Sequence, residues 1–125
     1  MKKTILSDKA PSPIGPYSQA ISANGLLFVS GQIPIDQASG KLISDSIEAE
    51  THQVMKNIGY ILSAAGLSYT NIIKTSIFVK DLGNFSRINE VYGTYFDEQP
   101  PARETVEVSR LPKDVNIEIS CIAVE

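Results

Sequence analysis

The sequence predicts an α+β domain in which two helices cover one face of a single β-sheet. Three observations predict it. Apolar residues adopt a helical period twice, from Ser46 and again from Asn84, and β-prone runs lie before, between and after these stretches. A chain of 125 residues that is 42% hydrophobic is long enough for one core and too short for two. One domain spanning residues 1–125 follows.

The elements can be justified in order. A short strand fits residues 3–6. Residues 10–16 hold Pro11, Pro13 and Pro16 with Gly15, and each proline drives itself and its predecessor into extended backbone, so this stretch reads as an ordered loop. Residues 19–22 and 26–29 flank Asn24-Gly25, a hairpin signal. From Ser46, the residues Ile47, Val54, Ile58, Ile61, Leu62 and Ala65 form one helical face. Asp45 or Ser46 can cap the start, Glu48 and Glu50 suit the positive end of the helix dipole, and Gly66 stops it. Ile73, Thr75, Ile77 and Val79 then alternate with Lys74, Ser76 and Lys80, a strand with one wetter face. A second helix fits residues 84–96, with Phe85, Ile88, Tyr92, Tyr95 and Phe96 on its buried side, ended by Pro100-Pro101. Strands over residues 104–109 and 116–124, separated by the turn 111–114, close the chain. Two helices on one face leave the other sheet face bare, and its Val, Ile and Phe residues predict a homo-oligomer.

Composition narrows the chemistry. Eleven basic and 14 acidic residues give a net charge of −3, which argues against a nucleic-acid backbone as the principal partner. One cysteine excludes an internal disulfide and a Cys-based zinc cluster, and one histidine excludes a His-rich metal site. No metal is expected. The longest apolar run, residues 26–29, is far short of the ~20 residues that span a membrane, and the N-terminus lacks the apolar stretch of a secretion signal. A cytoplasmic location is the expectation.

Several residues do not suit their surroundings. Glu118 interrupts a largely apolar strand; by parity it shares a face with Ser120, Ile122 and Val124, opposite Ile117, Ile119, Cys121 and Ala123. Such a carboxylate is at a wet edge, paired with a cation, or held at a site where desolvation suits it to proton transfer. Arg103 follows the rigid Pro100-Pro101-Ala102 and is placed either to grip a planar carboxylate through two parallel hydrogen bonds or to pair with Glu107 or Glu118. The segments 14–19 and 30–34 are turns beside strands, where Tyr17, Ser30 and backbone N–H groups can meet a ligand or simply satisfy the turn. His52 reads as a surface helix residue, and Cys121 as an inert buried thiol.

Ile14-Gly15-Pro16-Tyr17-Ser18-Gln19-Ala20, Val29-Ser30-Gly31-Gln32-Ile33-Pro34, Thr51-His52-Gln53-Val54 and Pro101-Ala102-Arg103 through to Ile117-Glu118-Ile119 resemble the reactive intermediate deaminase A (RidA, YjgF-type) family almost end to end. The resemblance implies a chorismate-mutase-like mixed β-sheet with two helices on one face, assembled as a homotrimer with sites between subunits. It implies hydrolysis of 2-imino acids and their enamine tautomers to 2-oxo acids and ammonia, without a cofactor. By the same resemblance Arg103 binds the substrate carboxylate with help from the Gly31 N–H. Glu118 activates water, and Tyr17, Ser30 and Asn89 line the pocket. Thr105 stands where many members carry cysteine, so no thiol role transfers, while a role for its backbone carbonyl survives. Two other functions fit the same clefts: a 2-oxo-acid-sensing regulatory protein and, ranked below it, an endoribonuclease.

Overall fold

The computed structural model describes residues 1–125. Its N-terminal third is organised by one turn and one side chain. Asn24 and Gly25 have φ of 52° and 77°, the paired positive values that a two-residue hairpin requires, and they join β2 (Ala20–Ala23) to β3 (Leu26–Gln32). β1 (Lys3–Ile5) lies antiparallel on the other side of β2. The proline-rich segment between β1 and β2 is held by the buried Gln19, whose Nε2 donates to the carbonyls of Ser7 at 3.1 Å and Pro11 at 2.9 Å. Its Oε1 accepts from the Ser7 N–H at 2.7 Å.

The hairpin runs three residues further than its apolar signal. At the far end of β3, Val29 faces Cys121 and Gln32 faces Ile119, so Ser30 and Gly31 together oppose one residue. This is a β-bulge, and it keeps both Val29 and Gln32 buried, which strict alternation would forbid. The expected turn at 30–34 is therefore strand up to Gln32. A small hairpin of β4 (Ile35–Asp36) and β5 (Lys41–Leu42) follows, which periodicity did not reveal.

The first helix, α1 (Ile47–Ala64), starts at Ser46, whose hydroxyl accepts the Ala49 N–H at 3.0 Å, and ends before Gly66 at φ 75°. β6 (Ile72–Val79) has an irregularity between Ile72 and Lys74 that turns Ile72 inward and leaves Ile73 46% exposed, reversing the expectation for Ile73. The second helix, α2 (Phe85–Gly93), is shorter than predicted, and Phe85 lies exposed at its start. α2 crosses over to β7 (Ala102–Glu107), which pairs parallel with β6; β8 (Ile117–Val124) is inserted between β3 and β6. The six-stranded sheet is thus mixed, in the order β1-β2-β3-β8-β6-β7.

Both helices cover one face. Ile117, Ile119, Cys121 and Ala123 on β8 pack with Val54, Ile58, Ile61 and Leu62 of α1 in one apolar core. Cys121 is part of that packing, and burial pushes its thiol up to about 12, so it is no nucleophile. The opposite face is open, with Phe28, Val106 and Val124 each at least 40% exposed. No helix is long and apolar enough to cross a membrane.

Candidate active site

The site residues fall into two groups on opposite faces of the sheet. The first is built by the bulge in β3. Glu118 faces outward from β8, and a Cβ on residue 31 would lie within 2.7 Å of its carboxyl carbon. Gly31 has no positive φ, so the glycine serves close approach rather than an unusual backbone. Glu118 forms no salt bridge, and partial burial raises its carboxyl above the usual carboxylate range. The neighbouring Ser30 donates its hydroxyl to the Ser18 carbonyl at 2.5 Å, tying the bulge to the loop that carries Tyr17. Ser30 and the half-exposed Tyr17 share a hollow of about 400 Å³ with Phe28 and Pro16.

The second group is built by β7 and α2. Arg103 pairs in register with Thr75 of β6, whose buried hydroxyl meets Tyr92 Oη at 2.7 Å, so the guanidinium leaves on the helix side. It lies 5.0 Å from the Tyr92 ring centre and 5.5 Å from that of Phe85, and its Nη1 donates to Asn89 Oδ1 at 2.8 Å. Two rings and one amide hold the cation in place, while no carboxylate neutralises it. The alternatives of pairing with Glu107 or Glu118 are not realised. Glu107 instead accepts the Leu82 N–H. A hollow of about 390 Å³ opens beside Arg103, Asn89 and Pro101. Thr105 is two residues along the same strand, with its Oγ1 buried and without a hydrogen-bond partner.

Within one chain the two groups do not meet. β6 separates β7 from β8, and Glu118 pairs with Phe78, three residues beyond Thr75, the partner of Arg103. Two strand spacings and three residue rises put their Cα atoms roughly 14 Å apart, with side chains on opposite faces. The structure joins Arg103 to Asn89, Glu118 to Gly31, and Ser30 to Tyr17.

Sequence reasoning missed the residues that hold these groups. Glu50, read as a dipole residue, is buried and accepts from Asn116 at 3.1 Å (N–H) and 2.7 Å (Nδ2), fixing the approach to β8. Asn57 is fully buried and donates to the carbonyls of Ile33 at 3.1 Å and Ile35 at 2.9 Å, clamping the chain just after the bulge. Both are polar residues in phase with the apolar stripe of α1, and that conflict was a usable signal. His52 is half-buried rather than free at the surface, its Nδ1 2.8 Å from Tyr95 Oη.

Comparison with known proteins agrees with this architecture. A family model described as Endoribonuclease L-PSP matches residues 7–125. The chain is 54% identical over 123 residues to a RutC family protein of Pyrococcus horikoshii, covering 98% of both chains. It is 44% identical to the 2-iminobutanoate/2-iminopropanoate deaminase of Rattus norvegicus, covering 100% of this chain and 91% of that one. The crystal structure of E. coli TdcF with bound serine superposes with a TM-score of 0.94 at 42% identity, covering 98% of both chains. The chain belongs to the Endoribonuclease L-PSP family, that of the YjgF, RidA and RutC proteins.

Proposed function

We propose that this protein hydrolyses reactive 2-imino acids and their enamine tautomers, such as 2-aminoacrylate and 2-aminocrotonate, to 2-oxo acids and ammonia. One observation carries the reading: an unneutralised, ring-clamped arginine and a desolvated carboxylate are the two chemically exposed charges of the candidate site. The 44% identity to a protein named as a 2-iminobutanoate/2-iminopropanoate deaminase supports it.

Because Arg103 and Glu118 leave one chain on opposite faces, the reaction centre is completed between protomers of a homotrimer, the Arg103 edge of one copy meeting the open face of the next. Arg103 binds the substrate carboxylate through two parallel hydrogen bonds, and the Gly31 N–H assists. This orients the C=N carbon toward a water held by Glu118. Glu118 takes one proton as the water oxygen bonds to that carbon and passes it to the nitrogen, giving the carbinolamine. It then takes the carbinolamine hydroxyl proton and passes that to the nitrogen as the C=O bond forms, the C–N bond breaks and ammonia leaves. A carboxylate with a raised pKa holds and releases that proton nearer neutrality than an ordinary one. Tyr17, Ser30, Asn89 and the Thr105 carbonyl line the cleft. The reaction as written consumes only water and needs no cofactor.

The test generates the imine in situ with a dehydratase and traps what remains with semicarbazide. The wild-type protein lowers trapping and speeds 2-oxo-acid release, whereas Arg103→Ala and Glu118→Gln each lose the effect while keeping the oligomer. Full activity in both variants overturns the assignment. The same clefts would serve a 2-oxo-acid sensor, which binds the product without accelerating its formation. The family description keeps an endoribonuclease as the last-ranked reading, against the net charge of −3, and RNA cleavage lost in a site variant would revive it.

A further inference from the structure

After α2 the chain folds back against the 3-10 turn Tyr69–Asn71, and the rings of Tyr69, Tyr95 and Phe96 wall a cavity of about 610 Å³. Tyr69 meets Tyr95 at 55° with ring centres 5.1 Å apart, and meets Phe96 at 85° with centres 6.4 Å apart. Rings at such angles make the walls of a corner rather than a stack. Each phenol is tethered from behind: Tyr69 Oη donates to the Met55 carbonyl at 2.7 Å, and Tyr95 Oη lies 2.8 Å from His52 Nδ1. Gly59 leaves the space that the Tyr69 hydroxyl occupies. The hydroxyls are therefore engaged in the fold, and the rings are set before any ligand arrives. Burial raises both phenols, so they stay neutral.

The charge of this cavity has one sign. Asp97 and Glu98 are its only charged lining residues. The hollow beside Arg103 lies across Phe96 and Asp97, which line both, and its cation gives that hollow the opposite preference. An anion would be repelled here, and a neutral apolar ligand would ignore the carboxylates. A cation over the aromatic faces is favoured by the ring quadrupoles and by the acids at the rim. The volume falls within the range of small-molecule sites.

We propose that this cavity binds a small organic ammonium ion, its alkylated nitrogen held in the Tyr69–Tyr95–Phe96 corner beside Asp97 and Glu98. The site is independent of the deaminase reading. It lies on the helix side of the sheet, and Phe96 and Asp97 form the wall between it and the hollow beside Arg103.

The experiment is calorimetric or NMR titration of the full chain with choline, set against its uncharged isostere 3,3-dimethylbutan-1-ol. Choline binding is expected to saturate and to be at least about fivefold tighter than the isostere, the margin a cation–π contact of about 1 kcal/mol supplies. Tyr95→Leu and the pair Asp97→Asn, Glu98→Gln each weaken choline binding about fivefold, while Tyr95→Phe, which keeps the ring and loses the His52 contact, stays within about twofold of wild type. No saturable binding of choline, equal binding of the isostere, or unchanged affinity in Tyr95→Leu overturns the proposal. The isostere comparison needs no variant, so a folding defect cannot obscure the result.

Discussion

Glu118 and Gly31 are a matched pair: the carboxylate occupies the space a side chain at residue 31 would fill. Gly31→Ala carries no backbone strain, so its methyl must displace the carboxylate. The expected outcome is a fold unchanged by circular dichroism with imine hydrolysis reduced about tenfold or more, read mainly in kcat. The raised pKa of Glu118 has two consequences with a definite sign. As a base it must be ionised, so activity falls on acidification at a pH above the ordinary carboxylate value of 4.5, and the pH–rate profile measures this. As a group whose folded pKa exceeds its unfolded one, it lowers stability above the folded pKa and not below the unfolded pKa. Glu118→Gln should therefore melt no lower than wild type near pH 7, with that difference vanishing below about pH 4. Thr105 carries the opposite defect, a buried hydroxyl without a partner. Thr105→Val should raise stability by about 1 kcal/mol in denaturant titration. KM should stay within about twofold if only the backbone carbonyl serves the site.

At the scale of elements, legibility followed the range of the forces involved. α1 and its start, narrowed to a cap at Asp45 or Ser46 of which the structure uses Ser46, were readable because period and capping are local, and so was the Asn24-Gly25 hairpin. The bulge at Ser30-Gly31 was not, since an extra residue in one strand shows only against its partner strand. The β4–β5 hairpin was invisible because two-residue strands have no period. Asn57 connects these levels: from α1 it holds the carbonyls of Ile33 and Ile35, beside the bulge and inside that hairpin. Asn57→Ala leaves both half-buried carbonyls without this partner and should cost about 1–3 kcal/mol of stability. A loss under about 0.5 kcal/mol by chemical denaturation would show that water replaces the amide without penalty.

For the whole molecule, the open sheet face was legible and the division of the site was not. Parity within one strand separated Glu118, Ser120 and Ile122 from Cys121, which was read as buried; the structure puts Cys121 in the core and the first three on the uncovered side. Nothing in parity relates Glu118 to Arg103, because the relation depends on β8 entering between β3 and β6 and on β7 joining β6 in parallel. That topology sends the two charges to opposite faces, so the proposed reaction requires half-sites from two protomers to meet. The claim has a quantitative test. Arg103→Ala and Glu118→Gln proteins, each inactive alone, are unfolded together at equal ratio, refolded, and assayed for imine hydrolysis. If Arg103 of one protomer faces Glu118 of the next, every mixed trimer rebuilds one intact site in three, and about a quarter of wild-type activity returns. If the mixture stays as inactive as its parents although mass measurement shows mixed trimers, both residues must act within one chain, and the account is contradicted.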